Sequence, residues 1–200
     1  MVFPGPGSGY LQSKGKAYLN MGDYKGQCLA EPKKCNPALT VSFWFKYPSS
    51  SNYKKQVYMG TASLTENSQG FALYMDPVDK KTSRFVVKVS DDKKLWQCKF
   101  NQRPDTWAHI GFVWKAKTGL VLYKDCRVTC TNSSGISVIT PTSSPVQRNP
   151  DASHFFVGRG NGLGVFKDVS ACFDDLAVWY QKLRVKDMAG DICRYKLGKS

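Results

Sequence analysis

Seven cysteines, at positions 28, 35, 98, 126, 130, 172 and 193, are the residues of this chain best able to do chemistry. Thiolates either oxidise to disulfides or hold a metal. A tetrathiolate zinc site wants two Cys-x-x-Cys-like pairs, and the spacings here do not supply two. The two histidines, His109 and His154, are remote from any cysteine pair in sequence. Spacings such as Cys28…Cys35 and Cys126…Cys130 suit short disulfide loops. The expected bridges are Cys28–Cys35, Cys126–Cys130 and Cys172–Cys193, leaving Cys98 over. The alternative pairs Cys98 with Cys126 and leaves Cys130 free. Disulfides place the chain in an oxidising, extracellular setting, and the sequon Asn132-Ser133-Ser134 offers a glycosylation site there.

Carboxylates come next. A retaining glycosidase needs two close carboxyl groups, as in Glu-x-Asp-x-x-Glu on one strand face. Only two glutamates exist, Glu31 and Glu66, far apart in sequence. Asp174 and Asp175 are adjacent, so on a regular strand they point to opposite faces and form no catalytic pair. They are instead the candidate ligands of a structural calcium ion, which wants several oxygen donors. His109 reads as a half-buried strand histidine, because no nucleophile elbow accompanies it. No catalytic residue is assigned and no cofactor is required; a structural calcium ion is the one candidate.

The strongest signal is charge. Lys and Arg number 29 against 15 Asp and Glu, a formal net charge of +14. Such a field attracts polyanions and exceeds what solubility requires. Lysine pairs recur near predicted turns, Lys33-Lys34, Lys54-Lys55, Lys80-Lys81 and Lys93-Lys94, and Lys115, Lys117, Lys124 and Arg127 add to this basic surface. The candidate binding surface comprises Lys54, Lys55, Lys88, Lys93, Lys94, Lys99 and Arg103, with Trp96 as an aromatic anchor. The competing explanation is a scatter of lysines that protects strand edges from aggregation.

These side chains must be positioned by β-structure. Short β-branched and aromatic runs alternate with Gly, Pro, Asn, Ser and Lys-Lys punctuation. Strands are expected at Leu39–Tyr47, Gln56–Thr61, Gly70–Met75, Arg84–Val89, Leu95–Phe100, Trp107–Trp114, Leu120–Tyr123, His154–Gly158 and Phe173–Tyr180. Polar–apolar alternation, as in Arg84-Phe85-Val86-Val87-Lys88-Val89, gives a sheet one wet face. The stretch Thr131–Pro150 reads as a loop with one short strand, Ile136–Ile139, and Lys182–Ile192 as a short C-terminal helix. Trp44, Trp107, Trp114 and Trp179 fall in the strand patterns and are assigned to the core. Many short strands with regular turns imply a two-sheet antiparallel jelly-roll sandwich, all-β, formed by residues 1–200 as one domain. No run of apolar residues is long enough for a membrane span. The opening residues lack the basic and apolar regions of a signal peptide. Met1 therefore reads as an artificial start on a segment of a larger extracellular protein.

Three ordered segments resemble the pentraxin and laminin-G-like superfamily, of concanavalin A-like fold. They are Ala38–Lys46, then Trp107–Trp114 with its hairpin Lys115–Tyr123, then Phe155–Arg159 with Cys172–Trp179 and Leu183. With Tyr18–Gly22 the resemblance covers nearly the whole chain. It is closest to the pentraxin-like modules of adhesion G-protein-coupled receptor and matrix-protein ectodomains. Of the pentraxin signature His-x-Cys-x-(Ser/Thr)-Trp, His109 and Trp114 match. Gly111 replaces the cysteine, Val113 replaces the hydroxyl residue, and the partner cysteine would fall near Ser42. Both halves of that family's disulfide are thus absent together. The calcium-binding Glu-Gln-Asp run of soluble pentraxins is replaced by Arg159-Gly160-Asn161, which disfavours calcium-dependent ligand binding of that kind.

The resemblance implies a non-catalytic recognition or adhesion module. The charge implies an anionic, sulfated glycan or an extracellular protein as partner. The alternative is a structural matrix protein that binds polysaccharide or mineral-associated acidic polymer. Nucleic acid is not expected as a partner, and no segment inserts into a membrane.

Overall fold

The computed structural model describes residues 11–14, 18–50, 55–63, 68–77, 83–137, 153–161 and 169–189. Among the described residues, thirteen strands and one short α-helix, besides a 3-10 turn at Pro32–Lys34, run in the order β1 (Leu11–Lys14), β2 (Leu19–Asp23), β3 (Leu39–Lys46), β4 (Gln56–Gly60), β5 (Gly70–Pro77), β6 (Ser83–Ser90), β7 (Lys94–Gln102), β8 (Ala108–Lys115), β9 (Gly119–Lys124), β10 (Arg127–Asn132), β11 (Ile136–Ser137), β12 (His154–Val157), β13 (Ser170–Trp179) and α1 (Val185–Ala189). A six-stranded sheet has the order β1-β13-β3-β8-β9-β10, and a seven-stranded sheet the order β11-β7-β6-β5-β4-β12-β2. Every pairing is antiparallel. The fold is therefore the expected two-sheet jelly-roll sandwich.

Side-chain alternation places the core. On β3, Val41, Phe43 and Phe45 face inward; on β8, Ile110, Phe112 and Trp114; on β6, Phe85, Val87 and Val89. The period of two puts each set on one face. Facing sheets then interdigitate: the Phe45 ring lies edge-on to Phe85 at 4.9 Å, and Trp96 lies edge-on to Trp114 at 5.3 Å. Ser42 and Gly111 are direct cross-strand partners, so the two positions whose cysteines the pentraxin comparison finds missing do lie side by side. The space is used by α1. Met188 Sδ sits 3.3 Å from where a Gly111 Cβ would be.

Turn chemistry sets the register. Lys124 pairs with Arg127 across a two-residue turn of Asp125 and Cys126, whose φ values of 49° and 68° are both left-handed. This is the primed turn that matches strand twist. Its consequence is β10, a strand the sequence reading did not include. β10 is an edge strand, exposed at Arg127, Val128, Thr129 and Thr131, so it carries no apolar alternation to reveal it. β11 is found where a short strand was expected, and residues 138–152 lie outside the described residues. The helix occupies the centre of its expected span. Among the described residues, no helix is long and apolar enough to cross a membrane.

The disulfides follow the topology. Cys28–Cys35 forms as expected, with Cα atoms 4.5 Å apart. Cys98 bonds to Cys130, with Cα atoms 5.5 Å apart. This corrects the expected Cys126–Cys130 clasp and also the alternative in which Cys130 is free. Cys126 sits in the turn and Cys130 lies along β10, roughly 13 Å away for four residues of strand, beyond disulfide reach. Cys126 is also disulfide-bonded. The Cys98–Cys130 bridge instead joins β7 of one sheet to β10 of the other.

The expected Cys172–Cys193 bridge is also corrected: Cys172 is a free, buried thiol. It lies on the outer face of β13 opposite Lys46, while Cys193 lies outside the described residues. Burial pushes the Cys172 thiol up, and Lys46 offsets this in part. A protonated, covered thiol is a poor nucleophile. Native protein treated with an aromatic disulfide reagent at pH 8 should therefore release almost no thiolate within minutes. The same protein in 6 M guanidinium (about the strength that unfolds hyperstable folds) should release one equivalent from Cys172. Fast reaction of the native thiol would contradict this burial.

Candidate functional site

The candidate lysines separate once placed on the sandwich. Lys93 and Lys94 are exposed at the start of β7, and Arg103 is exposed just beyond its end. Nine residues of strand, roughly 30 Å, lie between them. Lys94 Nζ reaches Ser134 O at 3.4 Å. Neighbouring Lys33 pairs with Asp92 at 2.9 Å. Lys54 lies outside the described residues. Lys55 is exposed and sits 5.5 Å from the Tyr74 ring centroid.

Two expected surface residues are interior. Trp96 is 2% exposed, because Trp96, Cys98 and Phe100 form the inward set of β7. The Trp-x-Cys-x-Phe alternation carried that signal. Trp44, Trp107 and Trp179, assigned to the core from their strands, are only half-buried. Trp44 faces outward and meets the His109 ring edge-on at 5.4 Å. Lys88 is 1% exposed, although it faces away from the core. The segment after β4 crosses this face, and Lys88 Nζ donates to Ser63 O at 3.3 Å. Outward direction on a strand is therefore not exposure here.

The cations that converge do so where the two sheets meet at β7 and β10. A cleft of about 420 Å³ is lined by Arg84, Lys99, Phe100, Asn101 and Thr129, a size within the usual range of small-ligand sites. Arg84 lies beside Asn101 across the β6–β7 ladder. Lys124 Nζ donates to Asn101 O at 2.6 Å, and Arg127 is its partner across the turn. Arg84 is held by Asp76 at 2.7 Å, while no ion pair involves Lys99 among the described residues. In the row across the outer face, Lys99 pairs with Val86 and Val86 with Tyr74, which brings Lys55 onto the same side. Sequence reasoning counted Lys99, Lys124 and Arg127 among the basic residues but did not bring them to one place, and it did not name Arg84 among them. Their convergence needs β10 folded beside β7, which local pattern does not encode.

The Asn132 amide is engaged at this junction. Its Nδ2, the atom a glycan would be joined to, donates to Gln97 O at 3.2 Å, and its Oδ1 accepts from Gly135 N at 3.1 Å. A glycan there would leave Nδ2 a single N–H for this inter-sheet hydrogen bond.

Asp174 is 6% exposed, and its Oδ1 accepts from Asp175 N at 2.9 Å. A bulge between Asp174 and Ala177 interrupts the β13–β3 register, with Asp175 at φ 48°. The simple alternation expected for this pair is thus broken. Among the described residues no group of three or more His, Cys, Asp or Glu is placed to hold a metal. Burial, and secondly the Asp174 charge, push the Asp175 carboxyl above its ordinary value. A raised folded-state value favours the protonated form in the fold. The penalty is fully present above the raised value and is relieved as pH falls through it toward the ordinary Asp value. Asp175→Asn removes the charge and tolerates the left-handed backbone. It should raise Tm at neutral pH, with the gain vanishing below the ordinary Asp value. Millimolar calcium added to both proteins completes the measurement. A calcium-dependent rise confined to the unsubstituted chain would make the pair a calcium site.

Comparison with known proteins now bears on these features. Residues 21–189 match a laminin-G-type family model described as the concanavalin A-like lectin/glucanases superfamily. The chain is similar to the human adhesion G-protein coupled receptor D1, with 26% identity over 192 residues, covering 89% of this chain and 19% of the receptor. It therefore spans about a fifth of that relative's length. Among solved structures it is similar to an HCR/D mutant, with 12% identity and a TM-score of 0.54, covering 95% of this chain and 41% of that one. It is also similar to the receptor binding domain of botulinum neurotoxin C/D mosaic serotype, with 11% identity and a TM-score of 0.50, covering 82% and 36%. These structural likenesses speak to the fold. The ordered strands, the two-sheet topology and a family match over most of its length agree: the chain belongs to the concanavalin A-like lectin/glucanase superfamily, as a laminin-G-like domain.

Proposed function

We propose that this domain is a non-catalytic extracellular recognition module that binds an anionic, sulfated glycan through the cationic cleft between β7 and β10. The carrying observation is the convergence of Arg84, Lys99 and Lys124 around one cleft, with Asp76, among the described residues, engaged on Arg84. Lysine suits this role as a mobile point charge that follows a flexible polyanion. Two disulfides support an oxidising compartment, and similarity to an adhesion receptor supports a place in an ectodomain.

The test is heparin-affinity chromatography against a cation exchanger of matched charge density. Elution from heparin at clearly higher salt supports an organised site. Equal elution reduces the lysines to diffuse charge and sinks the glycan reading. One observation favours a protein partner as the second reading. Val128, next to the cleft residue Thr129 on β10, is 61% exposed, so apolar contact area flanks the cleft.

A further inference from the structure

Arg159 lies at the opposite side of the seven-stranded sheet. It follows β12, which is four strand positions from β7, roughly 19 Å at ordinary strand spacing. Its guanidinium carbon is 4.4 Å from the Tyr18 ring centroid and 4.7 Å from that of Phe156. Those two rings are themselves edge-on, 5.6 Å apart, so the cation is seated in the corner between them. The segment carrying it is anchored on both sides. Gly160 lies so close to β4 that a Cβ there would be 2.6 Å from Val57 Cβ. Asn161 is 2% exposed, and its Nδ2 donates to Thr61 O at 2.7 Å and also to His154 O.

Among the described residues the guanidinium has no counter-ion. Nε makes a long contact of 3.4 Å to Gly160 O. The acid on β2, Asp23, instead accepts from Ser153 Oγ and from Lys25 N. A half-buried arginine held by aromatic faces keeps the in-plane edge of its fork for a planar oxyanion, which it binds bidentately. Tyr18 remains 44% exposed. A ring that both braces the cation and meets solvent offers an apolar surface and a hydroxyl to whatever bears that oxyanion. Exposed Asn20, the cross-strand partner of Phe156, adds a further polar group.

We infer that Arg159, Tyr18 and Asn20 form a second binding site, for a carboxylate-bearing sugar. The guanidinium fork takes the carboxylate, and the tyrosine ring takes a C–H face of the pyranose. The aromatic platform favours a sugar over an extended acidic peptide, because a ring face matches the apolar C–H face of a pyranose. The site is independent of the lysine cleft and selects a different anion.

The experiment is an NMR titration of the ¹⁵N-labelled protein, following the Arg159 Nε–Hε and Tyr18 signals. The probes are methyl glucuronide, methyl glucoside and acetyl-glutamate amide. Saturable shifts at both residues with the glucuronide are expected, and none with the glucoside. Arg159→Lys keeps the cation but loses the fork, so it should weaken glucuronide binding about tenfold with an unchanged backbone spectrum. A purely structural arginine predicts no saturable shift with any probe, which overturns the inference. Equal shifts with acetyl-glutamate amide overturn it in favour of an acidic peptide. Shifts confined to Lys99 and its neighbours leave the cleft proposal standing and remove this one.

Discussion

Replacing Cys98 and Cys130 together by alanine is expected to lower stability by about 3–4 kcal/mol, the entropy of closing a loop of that size. The bridge spans 32 residues of sequence, against 7 for Cys28–Cys35. Removal of the shorter bridge is expected to cost only about 2 kcal/mol on the same reasoning. Position adds to length. Cys98 is fully buried among the inward residues of β7, and its partner lies on the edge strand of the opposite sheet. β10 otherwise shows mostly exposed side chains and is held by its ladder to β9, by the Asn132 contact to Gln97 and by this bond. Thermal unfolding should show a drop of roughly 10 °C for the double variant. Non-reducing peptide mapping should recover Cys98 linked to Cys130. Recovery of Cys126 linked to Cys130, or a Tm within 1 °C of the parent (a shift well below about 1 kcal/mol), would falsify the cross-sheet assignment.

Reversing charge at Lys99 and Lys124 is expected to abolish any preference for heparin over a plain exchanger. One cation at an anionic surface contributes about 1 kcal/mol. Converting both to glutamate should therefore cost on the order of 3 kcal/mol, about a hundredfold in affinity. The matched control is Lys25→Glu with Lys93→Glu, which changes net charge equally. Lys93 precedes β7 at the far end from the cleft, and Lys25 lies in the turn after β2. Elution from the exchanger should fall alike for both pairs, since it reads total charge. Elution from heparin should fall much further for Lys99 and Lys124. If the control pair loses as much on heparin, the glycan recognises net charge and the cleft has no special part. This measurement also separates the two binding proposals, because the Arg159 site is untouched by either pair.

The sequence by itself determined the sandwich. Nine expected strands all occur, because short β-branched and aromatic runs bounded by turn residues, several of them alternating polar and apolar, are local patterns. The coupled loss of cysteines at Ser42 and Gly111 was legible through the family resemblance, and the ladder makes them neighbours. The Cys28–Cys35 loop was legible because its partners are near in sequence. Trp96 was legible in principle, since it shares the parity of Cys98 and Phe100.

Other features were decided only by tertiary structure. β10 has no apolar alternation, since an edge strand leaves much of its surface in solvent, and without it neither Cys98–Cys130 nor the Arg84–Lys99–Lys124 cleft is conceivable. Lys88 faces outward yet is buried, because a distant segment folds over it. Arg159 gains its two aromatic neighbours from β12 and from the residue before β2, parts of the chain more than a hundred residues apart. Periodicity reports which way a side chain points on its own strand. Which strands from remote parts of the chain lie beside it, and so which charges gather or find no counter-ion, is fixed by the order of strands in the sheets.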